Sequence, residues 1–395
     1  MKLKDAEELD KKYIFPTYRR TPLLITRGKG NYLFDEKGNK YLDLVSGLAV
    51  NALGHCERST VAAISKQAAR LMHVSNLYYT EPMLHLAEKL TKLSGMEKVF
   101  FANSGAEANE AAIKLVRKYS REKFGADRYE IICFKNGFHG RTLTTLTATG
   151  QQVYRKGFEP LTKGFRHAVY NDLKSVEKVL TKKTCAIMVE PVQGEAGIYV
   201  ADTDFIKGLD ALRRERGLQL IFDEVQCGLG RTGRWFAFQH YGVKPDVLTL
   251  AKSLGGGLPL GAMSARGAVT SAFVPGSHAS TFGANPVICA AALEFLSVME
   301  KKKLVQKAGE LGKYAAKKLN SLKKQNADIK DVRALGLMIA VDIQQNAKEA
   351  ANFFRENGIL VNPIREHTIR ILPPLTITKV ELDRFVILLD TFLSL

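Results

Sequence analysis

Leu218-Gln219-Leu220-Ile221-Phe222-Asp223-Glu224 and Asp246-Val247-Leu248-Thr249-Leu250-Ala251-Lys252-Ser253-Leu254-Gly255-Gly256-Gly257 decide the reading of this chain. Each is a short continuous apolar run with an ionisable residue at its carboxyl end. Such runs suit strands buried on both faces. Three more occur earlier: Val99-Phe100-Phe101, Ile131-Ile132-Cys133-Phe134 and Ala186-Ile187-Met188-Val189. Helical periods lie between them, as at Ala106 to Lys118 and Thr203 to Arg216. The alternation predicts an α/β fold with a mostly parallel central sheet covered by helices. Ligands of such sheets sit beyond the carboxyl ends of the strands, where Asp223, Glu190-Pro191 and Lys252 all fall.

The chain ends read differently. Residues 28–43 predict two short strands about Glu36-Lys37-Gly38-Asn39. After a long apolar helix from Val287 to Met299, Asp331 to Asp342 is strand-like and Val380 to Leu395 helical. The organisation expected is a large domain over 51–288 and a smaller α+β domain built from 1–50 and 289–395.

With 395 residues and 46% apolar content, the chain can bury a large core. No apolar run is long enough to span a membrane, and the charged start lacks a signal-peptide core. The five cysteines form no C-x-x-C pair. A cytoplasmic protein is expected. The net charge of +18 is spread, and its densest runs (Lys301 to Lys303, Lys317-Lys318, Lys323-Lys324) fall in amphipathic helical patterns. A solvated helix face is favoured over a nucleic-acid partner. The eight histidines make no H-x-x-x-H or H-E-x-x-H pair, so no metal site is expected.

Several loops sit where chemistry belongs. Asn103-Ser104-Gly105-Ala106-Glu107 has capping-box spacing at a helix start, and the free amides of Gly105 and Ala106 suit a phosphate. Asn136-Gly137-Phe138-His139-Gly140-Arg141 presents a ring for stacking and a guanidinium for a carboxylate. Gly228 to Gly233 matches G-x-G-x-x-G, but Glu224 to Cys227 separate it from the preceding strand and no helix opens after it. It is read as a flexible loop without a dinucleotide role. Ser280 to Pro286 offers two hydroxyls and a helix start at Pro286. A lysine at the end of an apolar run is a nucleophile near neutral pH, able to hold an aldehyde as a Schiff base. A buried aspartate is a partner for a protonated pyridine nitrogen. Together they are the minimal protein kit for pyridoxal phosphate.

These stretches, with Phe15 to Pro22, Asn51 to Cys56, Glu190 to Glu195, Asp223 to Gln226 and Arg370 to Leu375, resemble the class III (ω-amino) aminotransferases, pyridoxal phosphate enzymes of fold type I. The similar segments run in order over nearly the whole chain. The resemblance implies that Lys252 carries the cofactor and moves the proton, and that Asp223 pairs with the pyridinium. It assigns the cofactor to Gly105, Ala106, Phe138, Glu224, Val225 and Gln226, with Thr281 reaching the phosphate from the neighbouring subunit of a homodimer with shared sites. It assigns substrates to Arg141, Ser280, Tyr18 and Arg370, with Glu195 masking Arg370 while the amine substrate is bound. The implied reaction moves the δ-amino group of N2-acetylornithine to 2-oxoglutarate, a step of arginine biosynthesis. Ornithine, succinylornithine, 4-aminobutyrate and N-succinyl-diaminopimelate are alternative donors, and an aminomutase of the same fold is an alternative activity. Four positions depart from the family pattern: Glu57-Arg58 stands where His-Pro is frequent, Ala106 where threonine is common, and Ala284 where glycine is frequent.

Overall fold

The structure, a computed structural model, describes residues 1–395. The five apolar runs are strands of one seven-stranded sheet. From one edge the order is Lys98–Ala102, Gly261–Ala265, Val247–Leu250, Gln219–Asp223, Thr184–Val189, Glu130–Phe134 and Phe165–Ala168. Every pairing is parallel except those of Gly261–Ala265, which runs antiparallel to both neighbours. That strand has no β-branched residue and gives no local signal. Its complete burial makes it a strand.

Alternate side chains of each strand enter opposite cores. Ile132, Phe134, Ile187, Val189, Leu220 and Phe222 join one apolar cluster. Ile131, Cys133, Ala186, Met188 and Ile221 join another, completed by Ala111, Ala112 and Leu115 of the helix Gly105–Phe124. That helix is capped as its sequence predicts: Glu107 N donates to Ser104 Oγ at 3.1 Å. The returning carboxylate accepts from Asn103 N at 2.5 Å, one residue before the cap. The register sets Asp223 beside Thr249, so Asp223 and Lys252 emerge from adjacent strands at one sheet edge.

Both chain ends meet in a second sheet. Ile25–Lys29, Tyr32–Asp35 and Lys40–Asp43 form an antiparallel meander, and Ile359–Leu360 adds parallel to Lys40–Asp43. A third sheet orders Ile329–Leu335, Met338–Ile343, Thr368–Ile371 and Asn362–Arg365. The single strand expected over 331–342 is therefore a hairpin, reversed at Gly336 with φ +57°. A glycine free to take the left-handed region interrupts the apolar run there.

Two local features shape the site. The Gly228–Gly233 run is a loop as expected, but it is buried and anchored where a flexible segment was anticipated. Arg231 is 2% exposed and donates to the carbonyls of Leu337 and Pro373. Ser46, Gly47, Leu48 and Ala49 all hold left-handed backbone, with φ of 51°, 60°, 63° and 68°. L-residues resist that conformation. Asp43 secures the turn by accepting from Val45 N and Ser46 N, and Ser46 Oγ donates to Leu372 O at 2.8 Å.

Gly261 shows how tightly the sheet meets the helix start. A Cβ there would lie 2.2 Å from Ser104 O. Gly261→Ala is expected to destabilise the protein by about 1–3 kcal/mol through forced backbone movement, measured by chemical denaturation.

Candidate active site

A cavity of about 500 Å³ opens at the carboxyl ends of the central strands. It gathers residues from distant parts of the sequence: Gly105 and Ala106, Phe138 to Arg141, Glu190, Glu195, Asp223, Val225, Gln226 and Lys252. Each lies at the end of a strand, at the start of a helix or on a loop between them. Lys252 itself has φ +49°, an uncommon backbone conformation for a residue with a side chain and one that marks functional sites. Burial lowers its amine below the usual lysine range; Glu195 and Asp223 oppose that shift while Arg370 adds to it.

Asp223 lies at the end of its strand and is 4% exposed. Three groups donate to it. His139 Nδ1 lies 2.8 Å from Oδ2, Asn109 Nδ2 lies 2.7 Å from the same oxygen, and Val225 N reaches Oδ1 at 3.1 Å. A carboxylate only accepts, so the imidazole carries its proton on Nδ1. Thr249 Oγ1 donates to Asn109 Oδ1 at 2.7 Å and so fixes which way the amide faces. Asn109 also donates to His139 O at 2.8 Å. The expected site residues include neither Asn109 nor His139. His139 lies in the loop already singled out, whereas Asn109 reads as one more polar residue inside a helix.

Glu195 and Arg370 form an ion pair, Arg370 Nη1 to Oε1 at 2.9 Å. Arg370 is 1% exposed and also binds Gly194 O and Asn362 Oδ1. Burial works to raise the Glu195 carboxyl; Arg370 first, then Lys252 and Gln226, outweigh it and hold the group at about 2. Glu190 is displaced the opposite way. Burial raises it well above the carboxylate range, and Asp223 adds to the effect. It accepts from Phe138 N at 2.8 Å.

Five expected residues lie off the cavity wall. Arg370 sits behind Glu195. Glu224 is buried and accepts from Ala237 N at 2.6 Å and Phe238 N at 2.7 Å, so it braces a neighbouring turn and does not line the cavity. Burial pushes its carboxyl up to about 8. Ser280 and Thr281 line a separate hollow with Leu77 and Phe100, and Tyr18 is 73% exposed. Within one chain these last three do not reach Lys252.

The family model described as Aminotransferase class-III matches residues 13–393. The chain belongs to the class III aminotransferases. An acetylornithine aminotransferase of Methanocaldococcus jannaschii is 48% identical over 383 residues, covering 97% of this chain and 96% of that protein. Among solved structures, an acetylornithine aminotransferase from Elizabethkingia anophelis superposes with TM-score 0.89 at 34% identity, covering 100% of this chain and 99% of that one. An ornithine aminotransferase from Toxoplasma gondii, with pyridoxal phosphate (PLP) at partial occupancy in its active site, superposes with TM-score 0.95 at 33% identity, covering 100% and 94%.

The cavity of this class III aminotransferase fits that cofactor on its own chemistry. The first amides of the helix Gly105–Phe124 have no intrahelical acceptor and face an anion naturally. A Cβ on Gly105 would sit 2.7 Å from Val225, so glycine lets the helix start close on that wall. Gln226 Oε1 is buried without a partner, an acceptor that an O–H donor on the ring would satisfy.

Two outcomes follow from this geometry. Asn109→Ala should leave Asp223 one donor short and lower amine-transfer turnover about tenfold or more, by analogy with loss of a hydrogen bond to a charged group, measured by steady-state kinetics. For Glu195 the folded value of about 2 lies below the ordinary 4.5. The pair therefore stabilises the fold above about pH 4.5 and loses that contribution as pH falls toward 2. Denaturation midpoints of wild type and Glu195→Gln should differ at pH 7 and converge toward pH 2.

Proposed function

We propose that this chain is a PLP-dependent aminotransferase that moves the δ-amino group of N2-acetylornithine to 2-oxoglutarate, giving N-acetylglutamate 5-semialdehyde and glutamate. The ion pair of Glu195 with Arg370 beside Lys252 carries the reading. Such a pair suits a site that admits two substrates of different charge in turn. Similarity to acetylornithine aminotransferases over nearly the full length supports the choice of donor.

PLP, when bound, supplies an aldehyde for the Schiff base and a ring that stores electrons. Gly105 and Ala106 would hold its phosphate, Phe138 and Val225 its faces, Gln226 its phenolic oxygen and Asp223 its ring nitrogen. Lys252 would hold its aldehyde, and the Lys252 Nζ, when free, would be the base for the proton on the carbon bearing the transferred nitrogen. Asn109 and His139 keep the charge of Asp223 aimed and immobile.

Substrate selection rests on charge. With Glu195 on Arg370 the guanidinium is neutralised, and the acylated donor enters with its carboxylate toward Arg141. Arg141 is held over the rings of Tyr154 and Phe138, at 4.0 and 5.5 Å from their centroids. When Glu195 swings aside, Arg370 takes the α-carboxylate of 2-oxoglutarate as a two-pronged donor.

We also assign the active assembly as a homodimer in the cytoplasm. Met72, Leu77, Tyr78, Tyr79 and Phe282 are 65, 80, 69, 89 and 58% exposed. Asn76 ties their segments together through Ser280 O and Gly283 O. An apolar patch of this kind suits a second copy, and Thr281, which lines a hollow with Leu77, is the residue that would cross to the partner's phosphate. No helix is long and apolar enough to cross a membrane.

The deciding assay adds N2-acetylornithine to the PLP-loaded enzyme and follows the loss of the visible cofactor band, with ornithine, succinylornithine, 4-aminobutyrate and N-succinyl-diaminopimelate as competing donors. N2-acetylornithine should give the highest rate, and regeneration should need 2-oxoglutarate. Turnover without that acceptor would mark a mutase. Lys252→Ala should lower the rate by about 10²–10⁴-fold or more.

A further inference from the structure

The turn Gly194–Gly197, which carries Glu195, is held at both ends by arginines of one sheet. At its start Arg370 Nη1 donates to Gly194 O at 2.9 Å. At its end Arg333 Nε donates to Gly197 O at 2.7 Å. Arg333 does not line the cavity. Its fork closes on Asp342, with Nη1–Oδ2 at 2.7 Å and Nη2–Oδ1 at 2.8 Å, and Nη1 also reaches Asp331 Oδ2 at 2.6 Å. The guanidinium lies 4.5 Å from the Tyr199 ring centroid. Asp342 is in turn fixed by Thr368 Oγ1 at 2.7 Å. Thr368 and Arg370 share the strand Thr368–Ile371, so one strand places both arginines.

The turn needs such a hold. Gly197 has φ +126° and Ile198 φ +58°, the second a costly value for a β-branched residue. A Cβ on Gly197 would meet Arg333 Nη2 at 3.3 Å and the Tyr199 ring at 3.2 Å.

We infer that Arg333 is a positioning residue for the choice between substrates: by anchoring Gly197 O it fixes the backbone from which Glu195 reaches Arg370. Uncovering of Arg370 is then a swing of the Glu195 side chain over an immobile turn. The inference rests on the reading of Glu195 as the shield of Arg370. Slackening the turn weakens the shielded state, which serves the ω-amine donor, and leaves intact the open state, which serves glutamate and 2-oxoglutarate.

The test measures single-turnover half-reactions of PLP-loaded enzyme with N2-acetylornithine and, separately, with glutamate. Arg333→Gln should lower the ratio of the two specificity constants about tenfold in favour of glutamate, the effect of losing a hydrogen bond made by a charged group. Arg333→Lys keeps the charge beside Asp342 but lacks the planar fork, and should shift the ratio in the same direction by less. Glu195→Gln should shift it too, and adding Arg333→Gln to Glu195→Gln should add little. Equal losses in both half-reactions, or fully additive effects in the double variant, would overturn the role of Arg333. If Arg333→Gln does not fold, an unchanged ratio in Arg333→Lys overturns it alone. An unchanged ratio in Glu195→Gln instead removes the shielding reading itself.

Discussion

The buried carboxylate of Asp223 is the constraint to which the rest of the site conforms. A charge taken this far from water carries a penalty of several kcal/mol unless donors surround it. Here His139, Asn109 and Val225 supply them, and the two side-chain donors are themselves fixed. Thr249 orients Asn109, and His139 N donates to Thr149 Oγ1 at 3.0 Å. The acceptor of this network therefore has little freedom to turn. Preorganisation of this kind removes reorganisation cost at the moment charge moves in the site.

A second electrostatic arrangement lies beside the cavity, in the ion pair of Glu195 with Arg370. Arg370 is almost fully enclosed yet held by groups from two directions: Asn362 beneath it and the Glu195 turn above. Two carboxylates that line the cavity with Lys252 shift in opposite directions, although burial pushes both upward. Glu195 stays ionised because a guanidinium faces it, and Glu190, with one backbone donor and no cation in contact, shifts upward. Environment assigns distinct behaviour to chemically identical side chains.

Much of this was legible from local sequence. The apolar runs at 131–134, 186–189, 220–222 and 247–250 are strands close to their expected bounds. Lys252, Asp223, Phe138, Gly105 and Ala106 do converge on one cavity, because strand ends in a parallel sheet gather at one edge whatever their separation in sequence. What escaped depends on tertiary placement. Gly261–Ala265 lacks β-branched residues and becomes a strand only by enclosure between two others. Asn109 lies 114 residues from Asp223 along the chain, and nothing in a helical period marks which polar residue will face a distant carboxylate. The loop at 228–233 looks mobile by its glycines, yet those glycines permit close packing: a Cβ on Gly233 would lie 2.7 Å from Gly309 Cα.

The helix Gly105–Phe124 takes part in the cavity twice, through its opening amides and, about one turn later, through Asn109. The interval between the anion-holding end and the bracket on Asp223 is therefore set by backbone pitch, on the order of 6 Å of rise for four residues. Side-chain substitutions can retune what each end grips, but the gauge between them is built into the main chain. On the proposed function, substrate preference changes on the Arg141 and Arg370 sides while the seat for the shared ring keeps its dimensions.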